Sequence, residues 1–174
     1  HRYAILVFGL FIFGFDSDEP AVFEETVKFN IDADYDMCAY SVLTPYPGTL
    51  IWYQMGKSNS IVSYDWDKYD QAQIVYRPQG MTAEQLREGH MHAYQEFYSL
   101  PSMARRFPRS GSRSRTQWGI YNLFYRKGEV TGRTLQEPIA APTAAPRHAP
   151  NPPILPVKRE WREAVLEGLQ DSRS

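Results

Sequence analysis

The stretch Leu43-Thr44-Pro45-Tyr46-Pro47-Gly48-Thr49 (LTPYPGT) decides how the rest of the chain is read. An apolar run, Met37 to Leu43 (MCAYSVL), leads directly into it, so a strand stops at Thr44 and passes into a rigid turn. Pro45 and Pro47 hold φ at about −65° and remove two backbone donors, which ends any ladder and restricts Tyr46. Gly48 supplies the conformational freedom that the turn needs. The heptapeptide contains no catalytic acid, base or nucleophile. It is either a stiff connection or a ligand-bearing strand end, because parallel sheets bind ligands at the carboxyl ends of their strands.

Upstream, Leu10 to Phe15 (LFIFGF) has the length, aromatic content and unbroken hydrophobicity of a strand buried on both faces. Beyond Gly14-Phe15-Asp16, an acidic cluster (Asp16, Ser17, Asp18, Glu19) and Pro20 announce a helix. Ser17 or Asp18 can cap its free amides, and carboxylates suit the positive end of its dipole. The helix is expected from about Pro20 to Asp32, with Phe23, Val27 and Ile31 on one face. Strand, helix and strand with short connections make a βαβ unit, which requires parallel strands and a right-handed crossover. GFD and LTPYPGT then lie at the same sheet edge.

The chain has 174 residues, 43% of them hydrophobic, which suits one domain with a real core. A formal net charge of −1 gives no bulk attraction for nucleic acid or anionic membrane. The single cysteine, Cys38, excludes an internal disulfide framework and a thiolate-cluster metal site built from this chain alone. Its apolar surroundings read as a buried structural thiol. The sequence opens on His1 and enters apolar residues at once, as expected of a piece of a longer protein. Tyr3 to Phe15 is shorter than the roughly 20 residues of a spanning helix and has no small-residue cleavage pattern after it. A cytoplasmic protein is expected.

Together, FIFGFDSDEPAVFEETVKF and LTPYPGT resemble the later part of the partial barrel of radical S-adenosylmethionine (radical SAM) enzymes. The likeness is strongest to the group with an N-terminal cobalamin-binding domain. In that group a GFD-like strand end and acidic helix start precede a strand ending in a TPYPGT-like turn. Tyr69 to Gly80 (YDQAQIVYRPQG), Met81-Thr82-Ala83-Glu84-Gln85-Leu86 and Ala93 to Ser99 (AYQEFYS) extend the resemblance to about residue 127.

The resemblance implies an α/β fold: the C-terminal portion of an incomplete, TIM-like radical SAM barrel, followed by a mainly helical extension. Complete members hold a four-iron four-sulfur cluster on a CxxxCxxC loop, and S-adenosylmethionine on glycine-rich and acidic segments; this sequence has neither. The resemblance therefore implies no cofactor held by this chain alone. In the complete family protein it implies S-adenosylmethionine, the cluster and possibly cobalamin, with the N-terminal half of the barrel as the missing partner and a small molecule as substrate. Late strand ends in the family line the adenosine side of the pocket and the substrate opening. Carried over by position, the cofactor-binding candidates are Gly14, Phe15 and Asp16 on one strand and Leu43, Thr44 and Pro45 on the next. No catalytic residue and no metal ligand is carried over.

Further along, Leu50 to Met55 reads as a short helix stopping at Gly56, and Lys57 to Ser60 as a turn. Asp65-Trp66-Asp67-Lys68-Tyr69 reads as a surface turn with aromatic packing, or as a pocket mouth. Gln73 to Arg77 has strand character and Pro78-Gln79-Gly80 is a turn. Thr82-x-x-Gln85 is a capping box opening a helix with Leu86, His90, Ala93 and Phe97 on one face. His90 and His92, two apart, cannot share a metal from one helix. Arg105, Arg106, Arg109, Arg113, Arg115, Arg126 and Lys127 interleave with Trp118, Tyr121, Phe124 and Tyr125 without an acid. That composition fits either a single-stranded nucleic-acid surface or an amphipathic helix from Thr116 to Arg126 packed on its neighbour. Ala140 to Pro156 reads as an extended Pro/Ala-rich linker, and Val157 to Leu169 as a short helix with Trp161, Val165 and Leu169 on one side.

The expected division is 1–60, the last βαβ part of the barrel; 61–130, the helical extension; 131–157, the linker; and 158–174, the C-terminal helix. Two functions fit. One is the inactive end of a radical SAM enzyme. The other is a non-catalytic binding module using segment 105–127 and the tail for a protein or nucleic-acid partner. Nucleic acid is disfavoured because the acids of residues 16–36 offset the basic segment.

Overall fold

A computed structural model of the chain describes residues 5–108 and 115–131. Its elements run β1 (Phe8–Phe13), α1 (Val22–Asp32), β2 (Met37–Val42), α2 (Leu50–Lys57), α3 (Ala83–Phe97), α4 (Leu100–Arg106) and α5 (Arg115–Thr131). A single 3₁₀ turn covers Trp66–Lys68. The expected linker and C-terminal helix, from residue 132 on, lie outside the described residues.

β1 and β2 pair in parallel, Phe8 opposite Met37 through to Phe13 opposite Val42, and α1 connects them. The fold is thus α/β, with a small parallel sheet and five helices among the described residues. Phe11, Phe13, Tyr40 and Val42 turn one sheet face toward α1 and α3, where Phe13 meets Phe23 at 4.7 Å and stacks on Tyr40 at 5.5 Å. Among the described residues nothing covers the other face: Leu10 is 73% exposed and Ile12 50%. This corrects the expectation that the first strand is buried on both faces. An all-apolar run marks a strand built for two covered faces, and these residues cover only one.

Other local expectations shift too. Strand β1 begins at Phe8 and ends at Phe13, before the positive φ of Gly14 (+100°) breaks the ladder. Neither Ser17 nor Asp18 caps α1; its N-cap is Ala21, with no side-chain bond. Asp18 is already used: its carboxylate accepts from the amides of Gly14 (2.9 Å) and Phe15 (3.0 Å). Gln73 to Arg77 forms no strand, only an isolated bridge between Tyr76 and Ile61. Helix α2 runs through Gly56 to Lys57. The capping box opens α3 as read, with Gln85 N donating to Thr82 Oγ1 (3.1 Å) and Thr82 N to Gln85 Oε1 (2.8 Å).

The two edges of the sheet differ. On the β2 side, a row of side chains four residues apart, from α3 and its C-cap Tyr98, takes the place of a neighbouring strand. Tyr98 Oη accepts from Cys38 N (3.1 Å) and donates to Cys38 O (2.7 Å). One turn back, Tyr94 Oη accepts from Tyr40 N (2.9 Å) and donates to Tyr40 O (3.0 Å), and His90 Nε2 donates to the same carbonyl (2.8 Å). Val42 N donates to Gln71 O (2.7 Å) and completes the edge. On the β1 side no strand pairs among the described residues. Val7 and Phe13 direct their carbonyls to β2, so parallel-ladder alternation turns the backbone groups of Phe8, Leu10 and Ile12 toward this open edge.

Arg106 ties the helices together. It is 1% exposed and donates to the carbonyls of Tyr35 (3.1 Å), Asp36 (3.1 Å) and Phe97 (2.7 Å), while its guanidinium lies 3.7 Å from the Phe97 ring centre. Asn122 of α5 joins through Oδ1 (3.4 Å) and donates to Asp36 O (3.1 Å). Burial lowers the guanidinium pKa, yet Arg106 stays charged at neutral pH.

Candidate functional site

The GFD and LTPYPGT turns emerge side by side because their strands are parallel and in register. Between them, α2 and the segment 77–79 enclose an open cavity of about 530 Å³. That volume lies within the roughly 300–1,000 Å³ of small-molecule sites. Its walls are apolar at Phe15, Leu43, Ile51 and Met55, and polar at Asp16, Gln54, Arg77 and Gln79, with the serine hydroxyls of residues 17, 58 and 60.

Of the six residues carried over from the resemblance, Phe15, Asp16 and Leu43 line this cavity. Gly14 is buried beneath Tyr76, whose hydroxyl donates to its carbonyl at 2.5 Å. A side chain at Gly14 would run into that hydroxyl and Leu86, and its φ of +100° is one that other residues rarely adopt. Burial raises the Tyr76 pKa, helped by the charges of Asp18 and Asp16. Thr44 Oγ1 turns back to donate to Val42 O (3.1 Å), and Pro45 is fully buried.

The proline turn is pinned from outside. Tyr46 Oη donates to Tyr69 O (3.0 Å) and accepts from Gln71 Nε2 (3.2 Å). Thr49 caps α2 by accepting from Trp52 N (3.2 Å), which fixes the helix that supplies Ile51, Gln54 and Met55. Trp66 and Tyr69 pack with Trp52 at 5.8 and 6.1 Å, so the acidic aromatic segment buttresses α2 rather than entering the cavity.

Sequence reasoning missed Arg77 and Gln79. Gln79 Nε2 donates to Asp16 Oδ2 (3.2 Å), linking the 77–79 segment to the first strand end. Gly80 permits this approach, since a side chain there would strike the Asp18 carbonyl. The Pro78-Gln79-Gly80 turn was visible in sequence; its landing place was not.

The residues present do not fit an iron–sulfur cluster. Such a cluster needs three thiolates, and Cys38 is alone, fully buried on β2, its thiol pushed up to about 12 by burial. Among the described residues no group of three His, Cys, Asp or Glu side chains is placed to hold a metal. Among them, too, no helix is long and apolar enough to cross a membrane.

The basic aromatic segment is only partly taken up by packing: Tyr121 and Phe124 are 47% and 70% exposed. Arg106 and Trp118 are buried, Tyr125 stacks on Tyr98 at 5.6 Å, Arg105 pairs with Asp32 (2.7 Å), and Arg126 donates to Tyr98 O (2.7 Å). Helix α5 buries Trp118 and Asn122 against its neighbours, as the amphipathic-helix alternative expects, while its outer face exposes Ile120, Tyr121, Leu123 and Phe124.

The chain is 32% identical over 106 residues to bacteriochlorophyllide d C-12(1)-methyltransferase of Chlorobaculum tepidum, covering 61% of this chain and 23% of that protein. It is 30% identical over 102 residues to an uncharacterized methyltransferase of Pyrococcus horikoshii, covering 59% and 22%. It is 26% identical over 129 residues to the anaerobic magnesium-protoporphyrin IX monomethyl ester cyclase of Cereibacter sphaeroides, covering 73% and 20%. The chain is a distant relative of these proteins. It spans about a fifth of the length of the curated relatives it matches. The likeness supports the radical SAM relationship implied by the two strand-end turns. No family model matches the chain, and no solved structure matches it.

Proposed function

We propose that this chain forms the closing end of a radical SAM barrel and acts only together with the earlier strands, which hold the cluster. One observation carries the reading: the sheet is closed on the β2 side by Tyr94, Tyr98 and Gln71, and among the described residues nothing pairs on the β1 side. Among the described residues the β1 edge is the one left for further strands, as for a barrel whose last strand is β2. Leu10 and Ile12, bare on the face away from the helices, then become barrel lining, while the cavity beneath GFD and LTPYPGT becomes part of the adenosine and substrate side. The proposed division keeps residues 1–60 as barrel and 61–130 as its supporting extension, and the proposed location is the cytoplasm.

The reaction of the complete protein is methyl transfer, or ring closure, at a substrate carbon. The names of the relatives support this class, and the methyltransferases share the higher identity. S-adenosylmethionine and the cluster, with cobalamin as in the subgroup most resembled, belong to the complete protein. Residues of this chain position and enclose; none serves as acid, base or nucleophile.

The test is anaerobic reconstitution with iron and sulfide. This chain alone is expected to show no stoichiometric cluster absorbance, and the same chain joined to an upstream CxxxCxxC-bearing barrel segment should show it. One four-iron cluster per chain on residues 1–174 alone overturns the reading.

A further inference from the structure

Arg77 stands apart from the other arginines with described side chains. Arg106 is buried in carbonyls, Arg87 pairs with Glu84, Arg105 with Asp32, Arg126 holds Tyr98 O, and Arg115 lies over the Phe107 ring. Arg77 is exposed and lines the strand-end cavity, and among the described residues no carboxylate or carbonyl accepts from its guanidinium. Its backbone is fixed: the amide donates to Ser60 O (2.8 Å), beside the Ile61–Tyr76 bridge. The acid in the same cavity, Asp16, already accepts from Gln79. A guanidinium carries five donors in a planar fork suited to a carboxylate. Phe15, Leu43, Ile51 and Met55 offer an apolar bed in the same cavity.

We propose that this cavity binds the carboxylate arm of a hydrophobic substrate, with Arg77 as the anion contact. The proposal rests on reading the cavity as the substrate side of the site. Asp16 keeps Gln79 in place, and the carboxylate takes the fork of Arg77 while its carbon frame lies on the apolar wall. A neutral analogue of the same shape keeps the apolar contacts and loses the charge-assisted bonds.

Ligand-observed saturation-transfer titrations of the full chain with 2-naphthoate, and with neutral 2-naphthamide, test this. Wild type is expected to bind the carboxylate about five- to tenfold more tightly than the amide, the range for a partly solvated charge-assisted contact. Arg77→Gln should abolish that preference while leaving amide binding and circular dichroism unchanged, and Arg77→Lys should restore part of it. Equal binding of both probes by wild type, or a carboxylate preference that survives in Arg77→Gln, overturns the proposal. Either failure leaves the barrel reading standing if an upstream cluster-bearing segment still covers the β1 edge. If neither probe binds, the cavity is not a ligand site, and both this proposal and the substrate-side assignment fall.

Discussion

Replacing Tyr98 by phenylalanine isolates the claim that α3 stands in for a strand along β2. The Tyr98 ring stays packed against Tyr94 (6.2 Å), Phe97 (5.0 Å) and Tyr125 (5.6 Å), so the substitution removes one hydroxyl and little else. That hydroxyl is the partner of both Cys38 N and Cys38 O, and Cys38 is 0% exposed, so bulk water cannot replace it. Each stranded buried group costs about 1–3 kcal/mol, so Tyr98→Phe, which strands two, should lose about 2–6 kcal/mol. Tyr94→Phe is the internal control. It strands Tyr40 N alone, because His90 Nε2 still donates to Tyr40 O, and it should lose about 1–3 kcal/mol. Urea unfolding followed by circular dichroism at low protein concentration gives both values. The order Tyr98→Phe above Tyr94→Phe is the sharper test. A loss below about 0.5 kcal/mol for Tyr98→Phe, the range of ordinary surface changes, would refute the edge-closing role.

Arg106→Lys should lose about 3 kcal/mol, since an ammonium cannot serve the carbonyls of Tyr35, Asp36 and Phe97 together; a loss under about 1 kcal/mol in the same urea assay contradicts the clamp. His90 is buried and burial lowers its pKa from 6.5, so the unfolded chain takes up the proton first. Stability should therefore be full above about pH 6.5 and fall as pH drops through that value toward the depressed one, a slope that His90→Gln removes and that a flat wild-type profile would deny.

Features set by neighbouring residues were legible in sequence. The Thr82 and Gln85 capping box needs only residues three apart, and the proline turn announces the end of β2 by fixing its own backbone. The βαβ order followed from two such local punctuation marks. Asp18 misled because a carboxylate near a helix start has two competing customers, and the amides of Gly14 and Phe15 were the nearer. LFIFGF misled for a different reason: unbroken hydrophobicity reads as two covered faces, and among the described residues only one face of β1 is covered. Arg106 was illegible, since a basic cluster in sequence says nothing of Tyr35 and Asp36 some seventy residues away. For the cavity, Phe15, Asp16 and Leu43 came from the resemblance, carried over by position together with Gly14, Thr44 and Pro45, which do not line it, whereas Arg77 and Gln79 arrive by a long-range landing that only the fold shows.

Amide hydrogen exchange at Leu10 and Ile12 tests the central claim most directly. No described residue pairs with these amides, so in this chain alone they should exchange rapidly, while those of Cys38 and Tyr40, held by Tyr98 and Tyr94, stay protected. Joining the upstream barrel segment should protect Leu10 and Ile12 and suppress the self-association that an open apolar edge invites. Protection of Leu10 and Ile12 in a well-behaved monomer of residues 1–174, or their continued rapid exchange once the upstream segment is present, would contradict the account.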